Sequence, residues 1–171
     1  WTLPAPLDLS PLRKTIAERM LRSWRTVPHF TVETRVDMEA ARNRKDRLRE
    51  RGVRVTYNDL VVAAAAAALE STEAVQRRWD KETLMAFPGS NLGVAVHTEE
   101  GLVVPVVKSA AGLPLEKLSG AIREKAERAR TGRLLPDDVS PAALTVTNLG
   151  MFGITRFVPV VNHPECAILA A

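Results

Sequence analysis

The sequence predicts a two-layer α/β fold in which helices flank a mixed β-sheet. Helical and strand patterns follow one another irregularly, as a helix, a strand, two helices, a strand pair, a helix and further strands. This order favours a mixed sheet over a regular doubly wound one. At 171 residues, with 46% hydrophobic and 26% charged residues, the chain has the size and composition of one globular domain with a core.

The longest apolar run, residues 60–69, predicts a buried helix. Its ten residues are too few to span a bilayer, so we expect no membrane association. The single cysteine, Cys166, excludes an intrachain disulfide framework and is typical of a reducing compartment. We therefore expect a cytoplasmic protein, or one of the mitochondrial matrix in a eukaryote.

The chain begins with a segment that predicts a linker. Residues 1–9 contain two prolines and no helical period, so we assign the domain to residues 10–171. Ser10 followed by Pro11 predicts the start of a helix, with Ser10 as the N-cap, and Pro28 ends it.

Residues 30–38 alternate between apolar and polar side chains, which predicts a half-buried strand. A basic helix ending at Gly52 follows. Asn58, with Asp59 as an alternative, is then expected to cap the alanine-rich helix that runs to Glu70.

Two strands are predicted within residues 91–109, joined by a hairpin around Glu99, Glu100 and Gly101. An amphipathic helix is predicted from Pro114 onward. The last predicted strands cover residues 142–147, 155–161 and 166–171.

The net charge of +4 is unevenly distributed, and residues 42–54 hold seven basic side chains. Such a run can attract polyanions. Acidic residues are interleaved and no aromatic side chain lies within the run, so we interpret it as a solvated helix face and expect no nucleic-acid partner. Binding of nucleic acid stays a weaker alternative.

Several common chemistries have no motif in this sequence. It contains no glycine-rich phosphate loop, no zinc-ligand spacing and no nucleophile signature of serine or cysteine hydrolases, so we predict no metal site. An enzyme built on this sequence would act on a nucleophile that its substrate carries.

Residues 144–153, with the sequence LTVTNLGMFG, are a candidate catalytic segment. On a strand, Thr145 and Thr147 share one face while Leu144 and Val146 face the core, so the two hydroxyls are expected to lie on the opposite face. A hydroxyl beside a tight turn can donate a hydrogen bond to a developing oxyanion. Threonine is also simply a favourable strand residue, and both readings stay open at this point.

Six blocks in order resemble the catalytic domain of the dihydrolipoyl acyltransferases, the central components of 2-oxo acid dehydrogenase complexes. They are RKTIAERM (13–20), VPHF (27–30), VTYNDLVVAAAAAAL (55–69), GVAVHTEEGLVVPVV (93–107), TNLGMFGI (147–154) and NHPECAILA (162–170). Together they span nearly all of the chain from residue 11 onward.

The resemblance implies a fold like that of chloramphenicol acetyltransferase, assembled as homotrimers that build a large cubic or icosahedral core. It implies transfer of an acyl group between coenzyme A and a lipoyl group carried on a separate lipoyl domain. The implied partners are the decarboxylase and dihydrolipoamide dehydrogenase components. These blocks do not specify which acyl group is carried.

The resemblance assigns the oxyanion donor to Thr147 and implies a general base in a His-x-x-x-Asp-Gly motif. None of His29, His97 and His163 is in such a motif, so the base is expected outside these 171 residues, in a family member about a third longer. A non-catalytic, acyltransferase-like assembly subunit is the alternative.

Other residues are weaker candidates. The substrate-channel candidates are His29, Asn58, Asp59, Lys108, Asn148 and Gly150. Lys108 could contact a coenzyme A phosphate, and the resemblance brings Arg13 near the catalytic loop. His97 is expected to be exposed, and Cys166 is expected to be a small buried residue.

Overall fold

The computed structural model describes residues 8–80, 83–87 and 89–171, so most of the predicted linker, residues 1–7, lies outside the described residues. The helices are α1 (Pro11–Thr26), α2 (Glu39–Glu50), α3 (Tyr57–Ser71) and α4 (Leu115–Arg130). The strands are β1 (Arg77–Asp80), β2 (Thr83–Ala86), β3 (Leu92–Val94), β4 (Val96–Thr98), β5 (Gly101–Val103), β6 (Val106–Val107), β7 (Leu144–Thr147) and β8 (Ile168–Ala170). Within the described part of the chain, no helix is long and apolar enough to cross a membrane.

The starts of α1 and α3 are set by short polar side chains. The Ser10 hydroxyl accepts a hydrogen bond from the Arg13 amide at 3.4 Å, which confirms Ser10 as the N-cap of α1. The prediction of Asn58 as the cap of α3 is wrong. Thr56 caps α3 instead, because its hydroxyl accepts from the Asp59 amide while Asp59 Oδ2 accepts from the Thr56 amide. This reciprocal pair satisfies two amides that the first helical turn leaves unpaired.

The main sheet has the strand order β6-β3-β7-β8 and is mixed, as predicted. β3 pairs antiparallel with β6, whereas β7 pairs parallel with both β3 and β8. One face of the sheet packs on α3 and α4 around a continuous apolar core. The central members of this core are Val62, Ala66, Leu69, Leu92, Leu118, Ile122, Leu144 and Val146.

The predicted strand pair of residues 91–109 is present but divided. β4 and β5 form the expected hairpin as a separate two-stranded ladder, while β3 and β6 belong to the main sheet. Pro105 lies at the break and has no amide hydrogen to donate, so a continuous ladder cannot run through it. Its carbonyl still accepts from the Val94 amide at 2.9 Å.

Two predicted strands, residues 30–38 and 155–161, do not form a ladder with any described strand. Phe30 is 88% exposed and Val32 is 80% exposed, so the prediction of a half-buried strand is wrong for this chain. An ion pair between Arg156 Nε and Glu33 Oε1, at 2.8 Å, links the two extended segments. Alternation specifies which face a side chain takes, but a strand also needs a neighbour for its amides.

A buried carboxylate fixes the turn after α4. The side chain of Asp138 is 3% exposed, pairs with Lys125 and Arg128, and accepts from the Leu135 amide at 3.0 Å. These donors, of which Lys125 has the largest effect, lower the pKa of Asp138 to about 2, although burial alone would raise it. Asp138 therefore stabilises the fold in its ionised form.

We predict that Asp138→Asn lowers the free energy of unfolding at pH 7 by about 2 kcal/mol. The pKa of Asp138 is lower in the folded state than in the unfolded state, so this stabilisation is present above pH 4 and is lost as the pH falls towards 2. Urea unfolding of both proteins from pH 2 to pH 7 measures this convergence. Asp137→Asn is the control, because Asp137 forms an exposed pair with Lys108 and should change stability by less than about 1 kcal/mol.

Candidate functional site

The candidate catalytic segment forms the inner strand β7 and the turn that follows it. All four residues of β7 are buried, including Thr145 and Thr147, which are 1% and 8% exposed. The hydroxyl-bearing face, expected to lie opposite the core, is therefore covered as well. β7 lies between β3 and β8, and both of its edges are hydrogen-bonded.

Thr147 ends β7 at a turn with fixed geometry. Its carbonyl accepts from the Ala171 amide at 3.0 Å, and the Leu149 amide donates to the Ala171 carbonyl at 3.1 Å. Asn148 Oδ1 accepts from the Gly150 amide at 2.9 Å, which closes the turn. Among the described residues the Thr147 hydroxyl has no hydrogen-bond partner, so its proton is not committed to a protein acceptor.

Thr145 fits against a glycine on the neighbouring strand. Gly93 of β3 is the Cα partner of Thr145. A Cβ atom at Gly93 would lie 2.9 Å from Thr145 Oγ1 and 2.6 Å from Val104 Cγ1. Glycine is therefore required here for close packing, and it leaves room for the threonine hydroxyl.

A buried carboxyl lies against the same threonine. Glu165 follows a cis His163–Pro164 peptide bond, is 7% exposed, and accepts a hydrogen bond from the Asn162 side chain at 2.7 Å. Burial raises the pKa of Glu165 to about 7, although contacts with Thr145 and Asn162 act in the opposite direction. The Thr145 hydroxyl and Glu165 Oε2 are both buried, and neither makes a hydrogen bond of good geometry to a described residue.

His29 is held by two backbone groups. Its Nε2 accepts from the Val161 amide at 3.0 Å, and its Nδ1 contacts the Val27 carbonyl at 2.7 Å. Because an amide can only donate and a carbonyl can only accept, these contacts specify the neutral tautomer with the proton on Nδ1. Ser23 donates to the Val161 carbonyl at 2.6 Å, so both backbone groups of Val161 are paired with the α1 side of the molecule.

The remaining candidates lie at other places in the fold. Asp59 accepts from the Ser119 hydroxyl at 2.8 Å, and Lys108 pairs with Asp137. Arg13 donates to the Glu99 carbonyl at 3.3 Å beside the β4–β5 hairpin. No hydrogen bond or ion pair between described residues connects these three with the Thr147 turn.

A pocket beside α1 contains Arg13, a candidate residue from the sequence, and His97. A shallow pocket of about 490 Å³ lies between α1 and the β4–β5 hairpin, lined in part by Arg13, His97 and Glu99. His97 is exposed, as expected. Within the described part of the chain, no cluster of three or more histidine, cysteine and acidic residues could hold a metal ion.

The expectation that Cys166 is buried is wrong. Cys166 is exposed rather than buried, because β8 begins only at Ile168 and leaves Cys166 in the preceding loop. Glu165, its neighbour, is the buried residue of the pair. Nothing in the sequence indicates the burial of Glu165, since a carboxylate between a proline and a cysteine is typical of an exposed loop.

Comparison with known proteins identifies a family. The family of 2-oxoacid dehydrogenases acyltransferase (catalytic domain) matches residues 5–171. The mouse (Mus musculus) mitochondrial pyruvate dehydrogenase protein X component is 34% identical over 164 residues, which cover 96% of this chain and 33% of that protein. The chain thus spans about a third of the length of this curated relative.

Solved structures agree with the predicted fold class. The dihydrolipoamide acetyltransferase of Azotobacter vinelandii superposes with a TM-score of 0.90 at 30% identity, covering 98% of this chain and 72% of that one. The cubic core of a pyruvate dehydrogenase multienzyme complex gives the same TM-score and identity, covering 99% of this chain and 72% of that one. The mixed α/β fold is therefore confirmed.

We predict that Gly93→Ala destabilises the protein by about 1–3 kcal/mol, since the added methyl group overlaps Val104 and Thr145. The matched control is Gly120→Ala in α4, where nothing lies within 4 Å of the added Cβ. Alanine at Gly120 should leave stability unchanged or raise it by up to about 1 kcal/mol. Chemical denaturation measures both, and equal effects would contradict the close packing at Gly93.

We predict that stability decreases as the pH rises from about 4.5 to 7 because of Glu165. The folded state binds the proton more tightly than the unfolded state, so ionisation destabilises it by up to about 3 kcal/mol. The groups facing the carboxyl, Asn162 and Thr145, are neutral. Glu165→Gln should remove this part of the pH dependence, which urea unfolding of both proteins across that range measures; an unchanged slope would contradict it.

Proposed function

We propose that this protein transfers an acyl group between dihydrolipoyl-lysine and coenzyme A. The proposal follows from its family, because the chain belongs to the 2-oxoacid dehydrogenase acyltransferase catalytic domains. The name of the Azotobacter vinelandii relative, a dihydrolipoamide acetyltransferase, supports this reaction. Both nucleophiles are thiols carried by substrates, which agrees with the absence of a nucleophile motif in the sequence.

The proposed reaction is the exchange of one thioester for another. The thiolate of the acceptor attacks the acyl carbonyl, and the carbonyl π electrons move onto oxygen. The tetrahedral oxyanion then collapses, the bond to the first sulfur breaks, and that sulfur leaves as a thiolate that regains a proton. The protein must supply a base that takes the proton from the attacking thiol and a donor for the oxyanion.

The observation that supports Thr147 as this donor is its unpaired hydroxyl at the end of a rigid strand. β7 is hydrogen-bonded on both sides, and the adjacent turn is closed by Asn148 and Gly150. A donor held in place before the reaction stabilises developing charge without reorganisation. Asn148 and Gly150 would then form the part of the substrate channel nearest to Thr147.

The general base is proposed to be a histidine outside these 171 residues. His29 has both ring nitrogens paired with backbone groups, and its Nε2 lone pair is already occupied by the Val161 amide. His97 is the exposed residue of β4, between buried Val96 and Thr98. The alternative is a non-catalytic assembly subunit that has the acyltransferase fold but contains no such histidine.

The proposed partners follow from the family. The cubic core of a pyruvate dehydrogenase complex, which has this fold, supports assembly of homotrimers into a large core. A lipoyl group on a separate domain and coenzyme A would be the substrates, and the decarboxylase and dihydrolipoamide dehydrogenase would be the other components. Lys108 and Arg13 are further proposed contacts, with a coenzyme A phosphate and with the loop of the base respectively. The compartment would be the cytoplasm, or the mitochondrial matrix in a eukaryote.

We predict that Thr147→Ala in the full-length protein lowers kcat by about 10²–10³-fold, the usual cost of removing an oxyanion donor. Thr147→Ser keeps a hydroxyl and should retain most of the activity. The assay follows acyl transfer from acetyl-, succinyl- and branched-chain acyl-CoA to dihydrolipoamide. Turnover of Thr147→Ala equal to wild type would exclude Thr147 as the donor, whereas no turnover by the wild type with any acyl group would favour the assembly subunit.

A further inference from the structure

The protein buries a polar cluster on the same face of β7 as the proposed oxyanion donor. Thr145 Oγ1 and Glu165 Oε2 are shielded from solvent, and neither has a hydrogen bond of good geometry to a described residue. Each such group costs about 1–3 kcal/mol relative to a satisfied one. On the other face of β7, Leu144 and Val146 meet an entirely apolar core. The two faces of β7 therefore differ in polarity.

The cluster is connected to Thr147 through one strand face. Thr145 and Thr147 are two residues apart on β7, so their side chains point to the same side, about 7 Å apart. Glu165 lies in the loop that leads into β8, and β8 pairs with β7 at Thr145 and at Thr147. The carboxyl therefore lies where the β7–β8 ladder begins, and the donor lies where the ladder ends.

We propose that Glu165 is a positioning residue for Thr147, acting through Thr145 in the neutral form of its carboxyl. This proposal depends on the proposed function, because it assigns a purpose to the orientation of Thr147. Glu165 itself does not contact the reacting atoms.

Burial supplies the reason for the neutral form. The carboxyl is 7% exposed, it is faced by the neutral side chains of Asn162 and Thr145, and the pKa of Glu165 is raised to about 7. A neutral carboxyl has one donor and further acceptor capacity, whereas a carboxylate only accepts. It can accept from the Asn162 amide through Oε1 and donate from Oε2 to the Thr145 hydroxyl.

The effect on Thr147 is geometric. Gly93 leaves Thr145 with no Cβ neighbour on β3, so the hydroxyl depends on the Glu165 side for its orientation. Fixing Thr145 at the start of the ladder fixes the pleat of β7, and with it the direction in which the Thr147 side chain leaves the strand. A displacement of about 1 Å in a reacting group can cost up to about 10²-fold in rate.

The experiment compares Glu165→Gln with Glu165→Met in the full-length protein. Glutamine keeps the shape, a donor and an acceptor, while methionine keeps the length without strong hydrogen bonding. We expect Gln to retain kcat within about threefold. Met should lower kcat about tenfold or more with KM unchanged, while the unfolding free energy stays equal or rises.

The same substitutions in the Thr147→Ala background separate positioning from structure. If Glu165 acts through Thr147, Glu165→Met should have no further effect on kcat once the Thr147 hydroxyl is absent. Wild-type kcat in Glu165→Met, or the same loss in both backgrounds, would overturn the proposal. An unchanged kcat in Thr147→Ala alone would instead overturn the proposed function, so the two failures are distinguishable.

Discussion

The pairing of β7 on both of its edges is the constraint on which the rest of the structure depends. β3 and β8 hold this four-residue strand in parallel ladders, and its two faces therefore enter different environments. Leu144 and Val146 join the apolar core against α3 and α4. Thr145 and Thr147 enter a polar interior on the opposite side. Because alternate side chains of β7 point to opposite faces of the sheet, the side chains that stabilise the fold lie on one face and those proposed to function in acyl transfer lie on the other.

The polar side of the sheet is held by contacts that are distant in sequence. Ser23 and His29, at and beyond the C-terminal part of α1, pair with both backbone groups of Val161. The chain then reaches Glu165 and β8 within seven residues. The N-terminal helix therefore determines where the loop before β8 lies, and β8 in turn holds the end of β7. For this reason a histidine within a conspicuous sequence block serves as a neutral, two-point connector rather than as a base.

The sequence alone predicted the features that depend on local rules. The Ser10–Pro11 helix start and the hairpin near Gly101 were found, because caps and turn chemistry act over a few residues. The alanine-rich helix was also found, but only one of its faces is buried, since Ala64, Ala67 and Ala68 are exposed. Residues 30–38 show the limit of such rules, since their alternation is clear but no described strand pairs with them. Burial of Glu165 was equally invisible, because it results from the packing of a loop against a strand twenty residues earlier.

An acyl transfer between two substrate thiols places unusual demands on a protein. No covalent intermediate with the protein is needed. The protein therefore contributes by holding a hydrogen-bond donor and a base in fixed positions around the acyl carbonyl group that is transferred. An inner strand of a sheet is a rigid place for a donor, and Thr147 has its backbone tied to Ala171 and its turn closed by Asn148. On the same face of β7, the contact of Glu165 with Thr145 would fix the pleat at the start of the strand, and with it the direction in which the Thr147 side chain leaves the strand.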